Sequence, residues 1–84
     1  NLYETNFEGG NFEKTNFTSA NLTRANFKAA SLIDANFTNA NLFEADFTGA
    51  NVLNAIFEGT NLNNATWADG KKCGLNSIGE CKAK

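Results

Sequence analysis

At 84 residues the chain has room for one hydrophobic core, which excludes a multi-domain enzyme. Seven Lys and Arg against nine Asp and Glu leave a net charge of −2, too weak a field for a basic nucleic-acid binder. His, Met and Pro are all absent, and no apolar run approaches the roughly 20 residues of a membrane-spanning helix.

From its first residues the chain is periodic. It starts at Asn1 and Leu2 in mid-repeat, without Met, signal peptide or cap, as expected of a processed or truncated start. Large apolar residues then recur every five positions, from Leu2, Phe7, Phe12 and Phe17 through to Phe57, Leu62 and Trp67. Two positions before most of them stands a small residue, such as Ala20, Ala25, Ala30 or Ala35, and the residue between is usually Asn. A period of five would turn successive large residues by about 140° around an α-helix and scatter them. In a flat strand, residues five apart point to opposite faces and half would meet water. A chain that turns about 90° every five residues keeps every large residue on one axis, and four units close a coil of about 20 residues.

That register can be tested on the columns it would stack. The inward columns are Leu2, Leu22, Leu42, Leu62; Phe7, Phe27, Phe47, Trp67; Phe12, Leu32, Val52; and Phe17, Phe37, Phe57. Outside, the same spacing sets Arg24 between Glu4 and Glu44, Glu8 against Lys28, and Lys14 against Asp34, each an opposite-charge pair at a separation of about 4.8 Å. The unit Ala-Asn-Leu/Phe-x-x resembles the motif of the pentapeptide repeat family, with Ser31, Asp46, Ile56 and Thr66 in place of Asn and Thr5, Gly10 and Thr15 in place of Ala. The resemblance implies an all-β solenoid, a right-handed quadrilateral β-helix of about 3.5 coils over residues 1–69.

Residues 70–84 break the repeat and read as a C-terminal cap. Trp67 is expected to close its aromatic column, with Leu75 and Ile78 lying over the last coil. Cys73 and Cys81 either form a disulfide, worth about 2–3 kcal/mol for so short a loop, or pack reduced as small hydrophobes. Two thiols without His or further Cys lack the ligands for a zinc site. The segment from Trp67 to Gly70 with Cys73, followed by Ser77 to Cys81, resembles the ending of pentapeptide repeat proteins from the thylakoid lumen and from cyanobacteria. That resemblance implies a photosynthetic source, an oxidising compartment such as the thylakoid lumen, and a helical, disulfide-linked cap.

Catalysis has little to stand on. Without His the usual base near neutrality is missing, and the acidic residues, Glu44 and Asp46 included, occupy outward positions. No cofactor is expected, since Gly9, Gly10, Gly49 and Gly59 fall within the five-residue register rather than in a phosphate-binding loop. The Asn column is expected to satisfy backbone groups in turns. Some pentapeptide repeat proteins mimic duplex DNA and inhibit type II topoisomerases, but that needs a continuous acidic face, and here charges of both signs interleave. The informative surface is apolar: Ile33 and Leu53 share an outward column, and Ile56 stands at the next corner. Tyr3 and Phe43 mark an adjoining face. The sequence therefore reads as a non-catalytic interaction or scaffold module for a protein partner, such as a photosynthetic membrane complex, with Ile33, Leu53 and Ile56 as the contact patch.

Overall fold

The computed structural model describes residues 2–82; Asn1, at the start of the repeat, and Ala83 and Lys84, at the end of the cap, lie outside the described residues. Each five-residue unit makes one tight turn. The N–H of the small residue donates to the carbonyl of the large residue three before it, as from Ala25 to Leu22 and from Ala35 to Leu32, both at 3.0 Å. The third residue of the turn is left-handed, as in a type II turn: Glu4, Lys14, Arg24, Ala29 and Asp34 have φ between 57° and 61°, and Gly9, Gly49 and Gly59 hold the same place. The preceding Asn braces the turn. Its Oδ1 accepts from the N–H two residues on, from Glu8 to Asn6 and from Lys28 to Asn26, each at 2.9 Å.

Turning at every fifth residue brings the chain back over itself after twenty. Asn6 pairs with Asn26, Asn11 with Ser31, Asn16 with Asn36 and Asn21 with Asn41, all in parallel, and the series runs on to Thr66. Each pairing consists of two axial bonds; around Asp46, Phe27 N–H donates to Asp46 O at 2.8 Å and Asp46 N–H to Ala25 O at 3.0 Å. One residue per face takes part, so the described residues contain no helix and no extended strand, only a ladder of single bridges on four faces.

The large residues fill the inside. Leu22, Phe27, Leu32, Phe37, Leu42, Phe47 and Leu62 are fully buried, with Ala25, Ala30, Ala35, Ala40 and Ala45 between them. Two aromatic columns stack face to face, Phe7 on Phe27 on Phe47 at 4.7 and 5.3 Å and Phe17 on Phe37 on Phe57 at 4.9 and 5.2 Å. Between columns the rings meet edge to face, as Phe27 meets Phe37 at 5.8 Å and 86°. Trp67 closes its column tilted by 58° and half-buried.

Several expectations about the periphery are corrected. The cap is not helical within the described residues: it doubles back as two antiparallel bridges, Thr66 to Lys72 and Asn61 to Ile78. Gly70 and Gly79, at φ 85° and 83°, permit the reversals. Ile78 does lie over the last coil through its bridge to Asn61, but its side chain is 52% exposed and that of Leu75 is 75% exposed, whereas Cys73 and Ser77 are fully buried there. Of the charge ladders, Arg24 does bridge Glu44 at 2.7 Å and Glu4 at 3.6 Å, but Lys28 pairs with Asp46 at 3.7 Å rather than with Glu8. Glu8 instead accepts from Asn26 Nδ2, and Lys14 and Asp34 form no ion pair with each other.

The left-handed turn residues give a direct test. Ala29 is exposed and pays the steric cost of φ 57°, so Ala29→Gly is expected to stabilise the fold by about 0.5–1 kcal/mol. Gly49→Ala is expected to lose a similar amount, since its Cβ would meet Ala29 only at an ordinary 3.9 Å. Denaturant midpoints moving the opposite way for the pair would contradict this account of the turn.

Candidate interaction surface

Ile33 and Leu53 occupy the same turn position in successive coils, joined by the axial bond from Asp34 N–H to Leu53 O at 3.0 Å. Ile33 is half-buried, whereas Leu53 is 60% exposed. Ile56 lies three residues on, past the turn, bridged to Asn36 beneath it and 45% exposed. The fold thus places two of the three in one column and the third on the next face. Because Ile56 lacks a side-chain acceptor, the Asn-type brace is missing from its turn.

The adjoining face is tied down by charge. Arg24 Nε donates to Glu44 Oε1 at 2.7 Å, and one of its terminal nitrogens donates to the Tyr3 hydroxyl at 3.1 Å. The hydrogen bond to Glu44, then the fields of Tyr3 and Glu44, raise the guanidinium above its already high ordinary value. Tyr3 is therefore engaged, not a loose aromatic. Further round, burial opposes ionisation of Asp46, but the Thr48 hydroxyl at 2.6 Å, the Thr48 N–H at 2.9 Å and the Lys28 ammonium together outweigh it. They hold that carboxyl below the usual range.

The C-terminal cap is cross-linked. Cys73 and Cys81 form a disulfide with Cα atoms 5.0 Å apart. Beside it Ser77 has a role that no motif or spacing announced. Its Oγ donates to Gly74 O at 2.7 Å and accepts from Lys82 N–H at 3.0 Å, while its own N–H donates to Asn63 Oδ1 at 2.8 Å. Thr60 is a second buried hydroxyl, donating to Phe37 O at 2.6 Å where the repeat normally has Ala. Both keep buried polar atoms satisfied where the regular coil ends.

Among the described residues there is no group of three or more His, Cys, Asp or Glu that could hold a metal, and no helix long and apolar enough to cross a membrane. A family model described as a pentapeptide repeat region matches residues 1–69. The chain belongs to the pentapeptide repeat family. Pentapeptide repeats imply a β-helix, in keeping with the twenty-residue ladder, and such proteins are generally non-enzymatic structural or interaction modules. No curated protein matches the chain.

Asp46 offers a pH test. Its depressed folded-state value means that its contribution is complete above the unfolded-state value of about 3.9 and is lost as pH falls through the folded one. Asp46→Asn, which installs the usual residue of this position, is expected to flatten the acid limb of stability against pH. An acid limb identical to wild type in thermal melts would show that the carboxylate adds nothing.

Proposed function

We propose that this pentapeptide repeat protein is a rigid, non-catalytic interaction module that presents the Ile33, Leu53 and Ile56 surface to a protein partner. The observation that carries this reading is Leu53, the most exposed large apolar side chain of the repeat, above Ile33 in one column and next to Ile56, where every other residue of the Asn column is polar. A coil already held by axial hydrogen bonds loses little conformational entropy on binding, so a modest patch suffices.

In this reading residues 1–69 are the repeat, wound as a right-handed quadrilateral coil, and residues 70–84 the cap. The Cys73–Cys81 disulfide supports residence in an oxidising compartment. The similarity of the Trp67–Gly70 and Ser77–Cys81 segments to lumenal endings supports the thylakoid lumen, with a partner in a photosynthetic membrane complex. Inhibition of a type II topoisomerase by duplex mimicry is the alternative; it is disfavoured by the interleaving of Arg24 with Glu4 and Glu44 and of Lys28 with Asp46. Unaltered topoisomerase supercoiling at micromolar protein removes it.

Cross-linking in extracts of photosynthetic membranes, with captured peptides identified by mass spectrometry, tests the main reading. A specific partner is expected with wild type and is expected to be lost with Ile33→Lys/Leu53→Lys, while the circular dichroism of the variant is unchanged. Capture that is indifferent to the two lysines would refute the patch.

A further inference from the structure

The cap carries a surface of its own. Residues 73–81 are closed on themselves by the Cys73–Cys81 bond, so contacts within this loop and with the coil set its shape. At each of its two antiparallel bridges one residue turns inward and its neighbour outward. Cys73 and Ser77 are fully buried, whereas Lys72, over Thr66, and Ile78, over Asn61, are exposed. The chain crosses from one bridge to the other in the turn from Gly74 to Ser77, where Ser77 Oγ donates to Gly74 O at 2.7 Å and Asn76 is left-handed at φ 65°. Leu75 stands on that turn as the most exposed large apolar side chain among the described residues. Lys82 is fastened to the same turn, since Gly74 N–H donates to Lys82 O at 2.6 Å and Lys82 N–H donates to Ser77 Oγ at 3.0 Å. Leu75 and Ile78 are thereby set among Lys71, Lys72 and Lys82, all of them exposed.

Charge separates along the same axis. Residues 1–69 hold eight acidic side chains against three cations, whereas residues 70–84 hold four Lys against Glu80 alone. In the coil, Arg24 is paired with Glu4 and Glu44, and Lys28 with Asp46. In the cap, the ammonium groups of Lys71, Lys72 and Lys82 enter no ion pair among the described residues. Asp69, the acid that leads into the cap, accepts from the Lys71 N–H at 3.0 Å. Glu4, Glu8 and Glu13 belong to the first coil, three or more ladder spacings of about 4.8 Å from the cap, which exceeds the roughly 8 Å reach of a charge at physiological salt. The cap therefore presents a positive field although the whole chain is negative.

Aliphatic side chains raised on a turn, among cations on long flexible stems, call for a surface that yields to a convex tip and is negative at its rim. An anionic bilayer is such a surface, with charged headgroups above a layer that takes up apolar side chains, at depths a Lys stem can span. We propose that the cap docks this protein onto anionic lipid bilayers, with Leu75 and Ile78 entering the interface and Lys71, Lys72 and Lys82 on the headgroups. Two aliphatic side chains or three lysines alone hold weakly; together they give reversible, salt-sensitive binding. The acidic coil is repelled by the same surface, which turns the molecule cap first. The contact lies on the membrane and does not cross it.

This inference goes beyond the proposed function and uses none of Ile33, Leu53 and Ile56, so either stands if the other fails. Flotation of the 84-residue chain, disulfide intact, with vesicles of equal parts phosphatidylglycerol and phosphatidylcholine is expected to carry it into the lipid fraction. Pure phosphatidylcholine vesicles are expected to leave it behind. Raising salt from about 50 to about 500 mM is expected to weaken the binding by about tenfold or more. Lys71→Glu/Lys72→Glu and Leu75→Ser/Ile78→Asn are each expected to weaken it by about tenfold or more, with unchanged circular dichroism, since all four side chains are exposed. Lys14→Glu, which makes the same charge change in the first coil, is expected to bind as wild type does. No binding to the anionic vesicles, equal binding to both kinds, a loss with Lys14→Glu as large as that with the cap reversal, or indifference to Leu75→Ser/Ile78→Asn would overturn the inference. Equally tight binding to soluble polyglutamate would overturn it as well, by assigning the cap to an acidic protein.

Discussion

The axial hydrogen bond between coils is the constraint from which the rest of this molecule follows. A bond such as that from Phe27 N–H to Asp46 O can form only if the chain returns to the same place after twenty residues, so every five-residue unit must deliver the same change of direction. That demand places the third turn residue in the left-handed region at unit after unit, even where it is Glu, Lys, Arg or Ala. An isolated turn of this kind would relax. Here the ladder above and below fixes each one, and the Asn brace reduces the cost by satisfying an N–H that the turn leaves free.

The same register determines how the core packs. Rings one coil apart are held near the ladder spacing, which suits parallel stacking of Phe27 on Phe47 at 3°. Rings on neighbouring faces converge from perpendicular directions and meet edge to face. The Ala residues at the corners leave room for this convergence. Where Thr60 stands in such a corner, its hydroxyl must find a backbone acceptor, and Phe37 O supplies it.

Much of this was legible because a period of five admits so few solutions. The twenty-residue columns, the inward Leu and Phe sets and the turn role of Asn all followed from spacing alone. The charge pairing was legible only for Arg24, which stands at the left-handed turn position between Glu4 and Glu44; Lys14 and Asp34 hold the same turn position and do not pair with each other. Residues at the preceding turn position lean instead toward the bridge residue eighteen positions on: Lys28 reaches Asp46, Asn26 reaches Glu8 and Ser31 reaches Glu13. A column reading at twenty cannot see that offset. The cap was least legible, because outside the repeat neither Ser77 nor the reversal at Gly70 carries a periodic signal.

A repeat that propagates by axial bonds has no internal reason to stop, so its ends need residues that break the pattern. The cap does so by running antiparallel to the coil, which uses the last N–H and C=O groups of a face without offering the next coil its usual template. Two faces receive this treatment among the described residues, and the Cys73–Cys81 bond ties the two ends of that cap together. On the two faces that carry no antiparallel bridge among the described residues, the sequence abandons its polar habit, at Leu53 and Ile56. Apolar side chains displayed on a register that the axial hydrogen bonds already hold keep one fixed arrangement, so covering them gains apolar contact at little cost in chain entropy.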